Sequence, residues 1–292
     1  MSANKLSRLL ARFVVKMLLP HLEKGDRTVR AVFIDDYVSR KILLDGLYEK
    51  QELNLLRKEV FCKLPKDSTV IDIGANIGNH SNYFFDHFVS VIAVEPNPMV
   101  ADILSANVKY LLDSHDHEMR PVVQVVNVAL SNTSGKLGFK VNHSNLGKSE
   151  ITDNSTDMKV DVMTLDLLSS ELRTREISFI KIDVEGHEEN VLDGGTGLLS
   201  NSSPIIALEG FYEDDPEKGN RVEELLRSMG YKFFYRQTYK KFGESSTFYN
   251  MMPKFIRRFR DLRLEEVSSL SGENFAMAIC SKFDITKAPN VR

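Results

Sequence analysis

Apolar runs and polar breaks alternate along this chain in a way that predicts strands and helices in turn. Thr69-Val70-Ile71-Asp72-Ile73 is a β-branched run that stops at Gly74, the pattern of a buried strand. Further strands are predicted at 89–95, 122–130, 136–141, 158–164, 177–184, 204–209, 231–236 and 274–281. Helical spacing falls between them, from about 79, at 99–112, 165–173, 188–199 and 219–229. Strand 122–130 is nearly continuous valine, as expected of a strand covered on both faces. Repeated strand–helix alternation predicts an α/β fold, doubly wound around a mostly parallel sheet. Strands 136–141 and 158–164 read as a hairpin inserted over 131–164, and a long basic connection occupies 237–273. Ahead of this domain (65–292), residues 1–64 form an N-terminal extension of helices and a hairpin. Its parts are an amphipathic helix at 5–19, a hairpin from 28–34 and 37–44 around Asp35-Asp36, and a helix at 51–64.

Composition narrows the class without changing this outline. The 292 residues are 42% hydrophobic and 27% charged, enough apolar material for a sizeable core. A net charge of −3 argues against a general nucleic-acid binder. No apolar run approaches the roughly 20 residues needed to span a bilayer, and Arg12 and Lys16 interrupt any signal-peptide centre. Cys62 and Cys280 have no metal-ligand or disulfide spacing and sit among apolar residues, which predicts buried, reduced thiols and a cytoplasmic setting. Two segments qualify that location. Residues 5–19 set Leu6, Leu9, Leu10, Phe13, Val14, Met17 and Leu18 against Lys5, Arg8, Arg12 and Lys16. That pattern fits either a helix lying on an anionic membrane at its inner face or a capping helix on its own domain. Residues 253–263 interleave aromatics with arginines, which suits an acidic, sugar-bearing or lipid-phosphate partner, or a solvated basic helix.

The chemistry-bearing positions fall at predicted strand ends. Gly74 and Gly78 follow strand 69–73 in a Gly-x-x-x-Gly turn, with Asp72 two residues before the first glycine. In a doubly wound sheet the ligand binds outside the carboxyl ends of the strands. A strand-end acid suits a ligand carrying positive charge, such as S-adenosylmethionine, and not a pyrophosphate. The competing reading is an ordinary strand-to-helix turn with a buried, hydrogen-bonded Asp72. Glu95 lies about 20 residues past the first glycine, where an acid takes ribose hydroxyls. Asp183, Glu185 and His187 crowd the end of strand 177–184 and offer a general base, metal ligands or a helix cap. His80 joins Asp183 and His187 as a candidate base, and no complete metal-ligand set is visible.

These motifs, in this order, resemble those of the FkbM-type S-adenosylmethionine-dependent methyltransferases. The resemblance runs from about Gly46 to Gly210, through Gly-Leu-Tyr-Glu at 46–49, Asp-Ile-Gly-Ala-Asn-Ile-Gly-Asn-His at 72–80 and Glu-Pro-Asn-Pro at 95–98. It continues through Asn-Val-Ala-Leu-Ser at 127–131 with Gly135, Thr-Leu-Asp at 164–166 and Lys-Ile-Asp-Val-Glu-Gly-His-Glu at 181–188. It implies a seven-stranded, Rossmann-like class I methyltransferase sheet with its last strand antiparallel. It further implies methyl transfer to a hydroxyl, often of a sugar in a polysaccharide, glycolipid or glycosylated metabolite. Asp72, Gly74, Ala75, Asn76 and Gly78 would hold the methionine and ribose portions of the cofactor. Glu95 would take the ribose diol, and Asn97 with Asn127 to Ala129 would flank the adenine. Asp183, Glu185 and His187 would face the methyl group and acceptor. Two other readings remain: a nicotinamide-dependent oxidoreductase, and a membrane-peripheral, non-catalytic binding protein on the same fold.

Overall fold

The computed structural model describes residues 13, 31–33, 36–114, 121–142, 149–151, 158–172, 176–211, 216–239, 262–270 and 274–291. The helix expected over 5–19, apart from Phe13, and the basic segment through residue 261 lie outside the described residues. The strands are β1 (Thr69–Ile73), β2 (Ser90–Val94), β3 (Val122–Val126), β4 (Ala129–Leu130), β5 (Gly135–Lys140) and β6 (Glu150–Ile151). They continue with β7 (Met158–Met163), β8 (Ile177–Ile182), β9 (Ile205–Phe211), β10 (Phe233–Tyr239), β11 (Leu262–Val267) and β12 (Asn274–Ser281). The helices are α1 (Tyr37–Asp45), α2 (Lys50–Glu59), α3 (Asn79–Phe84), α4 (Pro98–Ser114), α5 (Leu165–Glu171), α6 (Glu188–Asp193), α7 (Thr196–Asn201) and α8 (Pro216–Ser228).

The main sheet has eight strands in the order β11-β10-β12-β9-β8-β1-β2-β3. Strands β3, β2, β1, β8 and β9 pair in parallel, while β12 runs antiparallel to both β9 and β10. The sheet has one strand more than the seven expected. The extra strand, β11, lies in the connection read as a basic insertion. Its sequence Leu-Arg-Leu-Glu-Glu-Val carries too much charge to read as a strand, but it is an edge strand, where charge is tolerated. Arg236 on β10 and Glu265 on β11 stand opposite each other and pair at 3.0 Å.

Strict alternation along the central strands builds two apolar faces. Ile71, Ile73, Ile180, Ile182, Ile206 and Leu208 point to the side closed by α5, α6, α7 and α8. Val70, Val91, Phe179, Ile205 and Ala207 point to the side closed by α2 and α3, where Phe61, Phe84, Phe88 and Phe179 make edge-on and stacked ring contacts. Both faces are covered, so β1 and β8 are buried at every position.

Four expectations are corrected. Residues 37–45 form a helix, not a hairpin strand. The Asp36 carboxylate accepts from the Ser39 backbone N–H at 2.8 Å, and the Gly46 N–H closes the last turn on the Ile42 carbonyl. An N-cap and a C-terminal glycine outweigh the β-branched residues between them. Residues 122–130 are not one doubly covered strand: β3 is the sheet edge, with Val122 66% exposed, and the chain leaves the sheet at Asn127. Residues 188–199 form two short helices, not one. They break at Gly194, where a Cβ would sit 2.0 Å from the Ser131 carbonyl oxygen. Cys62 is half-buried, whereas Cys280 is buried.

Between β3 and β8 the chain builds a second sheet, β4-β7-β5-β6, over residues 129–163. Ala129, Phe139, Val160 and Val162 form its apolar centre. It stands beside the carboxyl ends of the main strands and so walls the region where a ligand would lie.

Candidate active site

The carboxyl ends of β1, β2, β8 and β9, the loop before α2 and the small sheet together enclose a cavity of about 320 Å³. Among the expected residues, Gly74, Asn76, Glu95, Ala129, Asp183 and Glu185 line it. The turn after β1 is shaped by a close backbone approach. Gly74 has φ +78, and a Cβ there would lie 1.8 Å from the Asp183 carbonyl oxygen, so only glycine fits. Asn76 follows with φ 49, its N–H donating to Glu95 Oε2 at 3.0 Å. The other Glu95 oxygen accepts from the Asn97 N–H at 2.9 Å. Glu95 is thus clamped across two strand ends and is only 7% exposed. Burial pushes its carboxyl up to about 7 against these two hydrogen bonds, with the charges of Asp183 and Asp72 adding to the rise.

The remaining expected residues stand behind the cavity wall. Asp72 is fully buried, accepts from Ser81 Oγ at 2.5 Å and lies 3.6 Å from Lys181 Nζ. Ala75 and Gly78 form the turn itself, the Gly78 N–H closing on the Ala75 carbonyl. Asn97 caps the first turn of α4, its Oδ1 accepting from the Met99 N–H. The Asn127 side chain ties the end of β3 to the Glu95 and Pro96 carbonyls. His187 is turned away as well: it precedes α6 and its Nε2 sits 2.9 Å from Ser131 Oγ.

The opposite side of the cavity holds acids whose role the sequence reading missed. Glu49 and Glu209 both line it, with Tyr48 and Tyr37 beside them. The Asn79 side chain pins Tyr48 by donating to its carbonyl and accepting from its N–H, both at 3.0 Å. That clamp sets Glu49, with φ 55, against α3. There Glu49 Oε2 lies 3.2 Å from His80 Nε2. Burial raises the Glu49 carboxyl, but His80 and the Lys181 charge outweigh it and hold Glu49 below the usual range. Glu209 is raised well above it by burial and by the Asp183 charge. Lys181 Nζ, 1% exposed, lies 3.2 Å from Asp183 Oδ2. Burial alone would discharge it, but Asp183 and Asp72 overcome that effect and raise its pKa. Two signals in the sequence pointed this way: Glu49 closes the Gly-Leu-Tyr-Glu motif, and Glu209 ends a parallel strand on the same sheet edge as Asp183.

Backbone strain marks the same place. Among the described residues, the non-glycine positions with positive φ are Glu49, Asn76 and Glu185, and all three line this cavity. Each costs of order 1–3 kcal/mol and persists where surrounding structure imposes it, commonly at functional sites.

The chain is 27% identical over 158 residues to the hexuronic acid methyltransferase AglP of Haloferax volcanii, covering 54% of this chain and 61% of that protein. The chain thus spans under two thirds of the relative's length. Among solved structures, a methyltransferase FkbM from Methylobacillus flagellatus KT aligns at TM-score 0.47 and 13% identity, covering 84% of this chain and 52% of that one. The O-methyltransferase from Bacillus cereus, solved in complex with SAH, aligns at TM-score 0.43 and 12% identity, covering 83% and 87%. The methyltransferase FkbM domain itself matches residues 72–233, from the strand-end acid before the glycine turn to the first residue of β10. That stretch is more than half of the chain, and the protein belongs to the FkbM methyltransferase family.

Proposed function

We propose that this protein is an S-adenosylmethionine-dependent O-methyltransferase whose acceptor is a sugar hydroxyl in a polysaccharide, glycolipid or glycosylated metabolite. The observation that carries the reading is the clamp of Asn76 and Glu95 at the glycine turn, beside Asp183 on the next strand end. The residues present fit the cofactor. Gly74 leaves the backbone bare at the cavity, the buried Asn76 Oδ1 has no hydrogen-bond partner, and Glu95 presents a carboxylate for a diol. When bound, the cofactor would supply an electrophilic methyl group on a positively charged sulfur. Gly74, Asn76 and Glu95 would hold it, and Asp72, Ala75, Gly78, Asn97 and Asn127 would keep that wall rigid from behind. The acids of the cavity favour a ligand that carries positive charge.

Methyl transfer to a hydroxyl also requires that the acceptor oxygen be held in line and lose its proton as the bond forms. Of the candidate bases, Asp183 is favoured. It lines the cavity and is oriented by Lys181, while His187 is engaged with Ser131 outside it. Glu185, on the same strand end, would contact the acceptor. The name of the Haloferax relative supports a carbohydrate acceptor. Contact with an anionic membrane rests on residues 5–19 and 253–263, which lie largely outside the described residues. No helix among the described residues is long and apolar enough to cross a membrane.

The test is calorimetric titration with S-adenosylmethionine, followed by transfer of a radiolabelled methyl group to a panel of neutral and uronic-acid glycans. Label that enters a glycan and survives mild base is the expected ether. Label lost in mild base would be a carboxyl ester and would overturn the hydroxyl assignment. Absence of cofactor binding would sink the whole reading.

A further inference from the structure

We infer that Glu49, His80 and Glu209 form a binding site for one divalent first-row metal ion at the acceptor end of the cavity. One ligand atom from each lies within 4.8 Å of the other two. The three come from separate elements: the loop before α2, the first turn of α3 and the end of β9. Glu49 Oε2 and His80 Nε2 have only each other, at 3.2 Å, and Glu209 Oε1 has no hydrogen-bond partner, although all three atoms are buried. His80 is only 7% exposed and aims Nε2 into the cluster, 3.2 Å from Glu49 Oε2.

A buried polar atom without a full set of partners is costly, and three such atoms gathered within 4.8 Å call for something between them. A shared proton joins two atoms, whereas a cation satisfies all three. Metal–ligand bonds of about 2.0–2.2 Å place neighbouring ligand atoms roughly 3.0–3.6 Å apart, which brackets the Glu49–His80 separation. The Asn79 clamp on Tyr48 and the strained backbone at Glu49 hold that carboxylate in position. One imidazole with two carboxylates suits Mn²⁺, Fe²⁺ or Zn²⁺ better than the all-oxygen preference of Ca²⁺. An octahedral ion with three protein ligands keeps about three positions open. Glu49 and Glu209 face the same cavity as Asp183, so the open positions would take oxygens of the acceptor. That role for the ion rests on the methyl-transfer reading; the site itself does not.

The experiment uses the purified full chain, stripped with chelator and titrated with Mn²⁺, with free Mn²⁺ read by electron paramagnetic resonance in the absence of methyl donor and acceptor. One Mn²⁺ per chain is expected, with nitrogen hyperfine coupling from a single imidazole. His80→Ala and Glu209→Gln should each weaken binding by at least roughly 10–100-fold, while Glu185→Gln, on the cavity wall but outside the cluster, binds as the wild type does. Thermal unfolding of each variant reports whether it is folded. The site is overturned if the wild type binds no Mn²⁺, if bound Mn²⁺ lacks the nitrogen coupling, or if Glu185→Gln abolishes binding. The wild-type spectrum decides the matter even where a variant fails to fold. Because no methyl transfer is measured, Mn²⁺ binding without later transfer activity would count against the proposed function and not against this site.

Discussion

At the scale of single residues, Glu95 sets two opposed pH dependences. Its carboxyl is pushed from 4.5 to about 7 in the folded chain. Between those values the unfolded chain has lost the proton and the folded chain keeps it, so cofactor-free stability falls as pH rises from 4.5 to about 7. The loss amounts to about 3 kcal/mol and is then constant. A ribose diol donates best to the ionised carboxylate, so cofactor affinity should fall as pH drops through about 7. Glu95→Gln should flatten both profiles, checked by urea unfolding and calorimetric titration at pH 5 to 8. Gly74 supplies a second residue-scale prediction. Gly74→Ala should cost about 3 kcal/mol or more, through both positive φ and overlap with the Asp183 carbonyl. Gly46→Ala, with φ +84 but nothing within 4 Å, should cost only about 1–2 kcal/mol. Equal losses in denaturant unfolding would show that the close approach is not what requires glycine at 74.

Elements are placed by polar clamps as much as by apolar faces. Asn79, in the first turn of α3, satisfies both backbone groups of Tyr48 and so fixes the loop that carries Glu49. Asn79→Ala leaves those groups unpaired in a half-buried setting. The variant should lose about 1–3 kcal/mol of stability in chemical denaturation, with a larger change in acceptor KM than in cofactor affinity. The start of α1 is a similar case. Asp36→Ala removes its cap and should cost about 1 kcal/mol, measured the same way. These clamps also explain what the sequence could not convey. Asp36 is legible as a cap only once 37–45 is known to be helical. That the Asn127 amide holds the Glu95 and Pro96 carbonyls is likewise visible only in the folded chain.

On the scale of the whole molecule, acids from three strands meet around one buried cation. Lys181 lies against Asp72 from β1 and Asp183 past β8, and its charge is felt by Glu209 on β9. Lys181→Met removes the cation and leaves these carboxylates facing one another. Breaking such buried pairs costs about 3–5 kcal/mol. Glu209, already raised above the usual range, would lose the charge that lowers it and hold its proton to higher pH, so the deficit should shrink as pH falls. Unfolding of the variant and the wild type at pH 5 and pH 8 checks both size and sign. A deficit equal at the two pH values would mean that the lysine acts through packing alone.

The sequence by itself determined the alternating α/β plan, the glycine turn at 74–78 and the acids at the ends of strands 1, 2 and 8 in chain order. Hydrophobic period and backbone-specific residues are local properties, and a parallel sheet forces its strand ends to one edge. It also made Asp72 and His187 look like Glu95 and Asp183, because position along a strand end does not say which way a side chain turns. Only the tertiary structure decided that Asp72 is buried against Ser81 and Lys181 and that His187 turns to Ser131. It alone brought Glu49, His80 and Glu209 together. Those three are far apart in the chain, and their meeting depends on how the N-terminal loop packs on α3 and on the order of strands in the sheet. Neither of these is written in any local pattern.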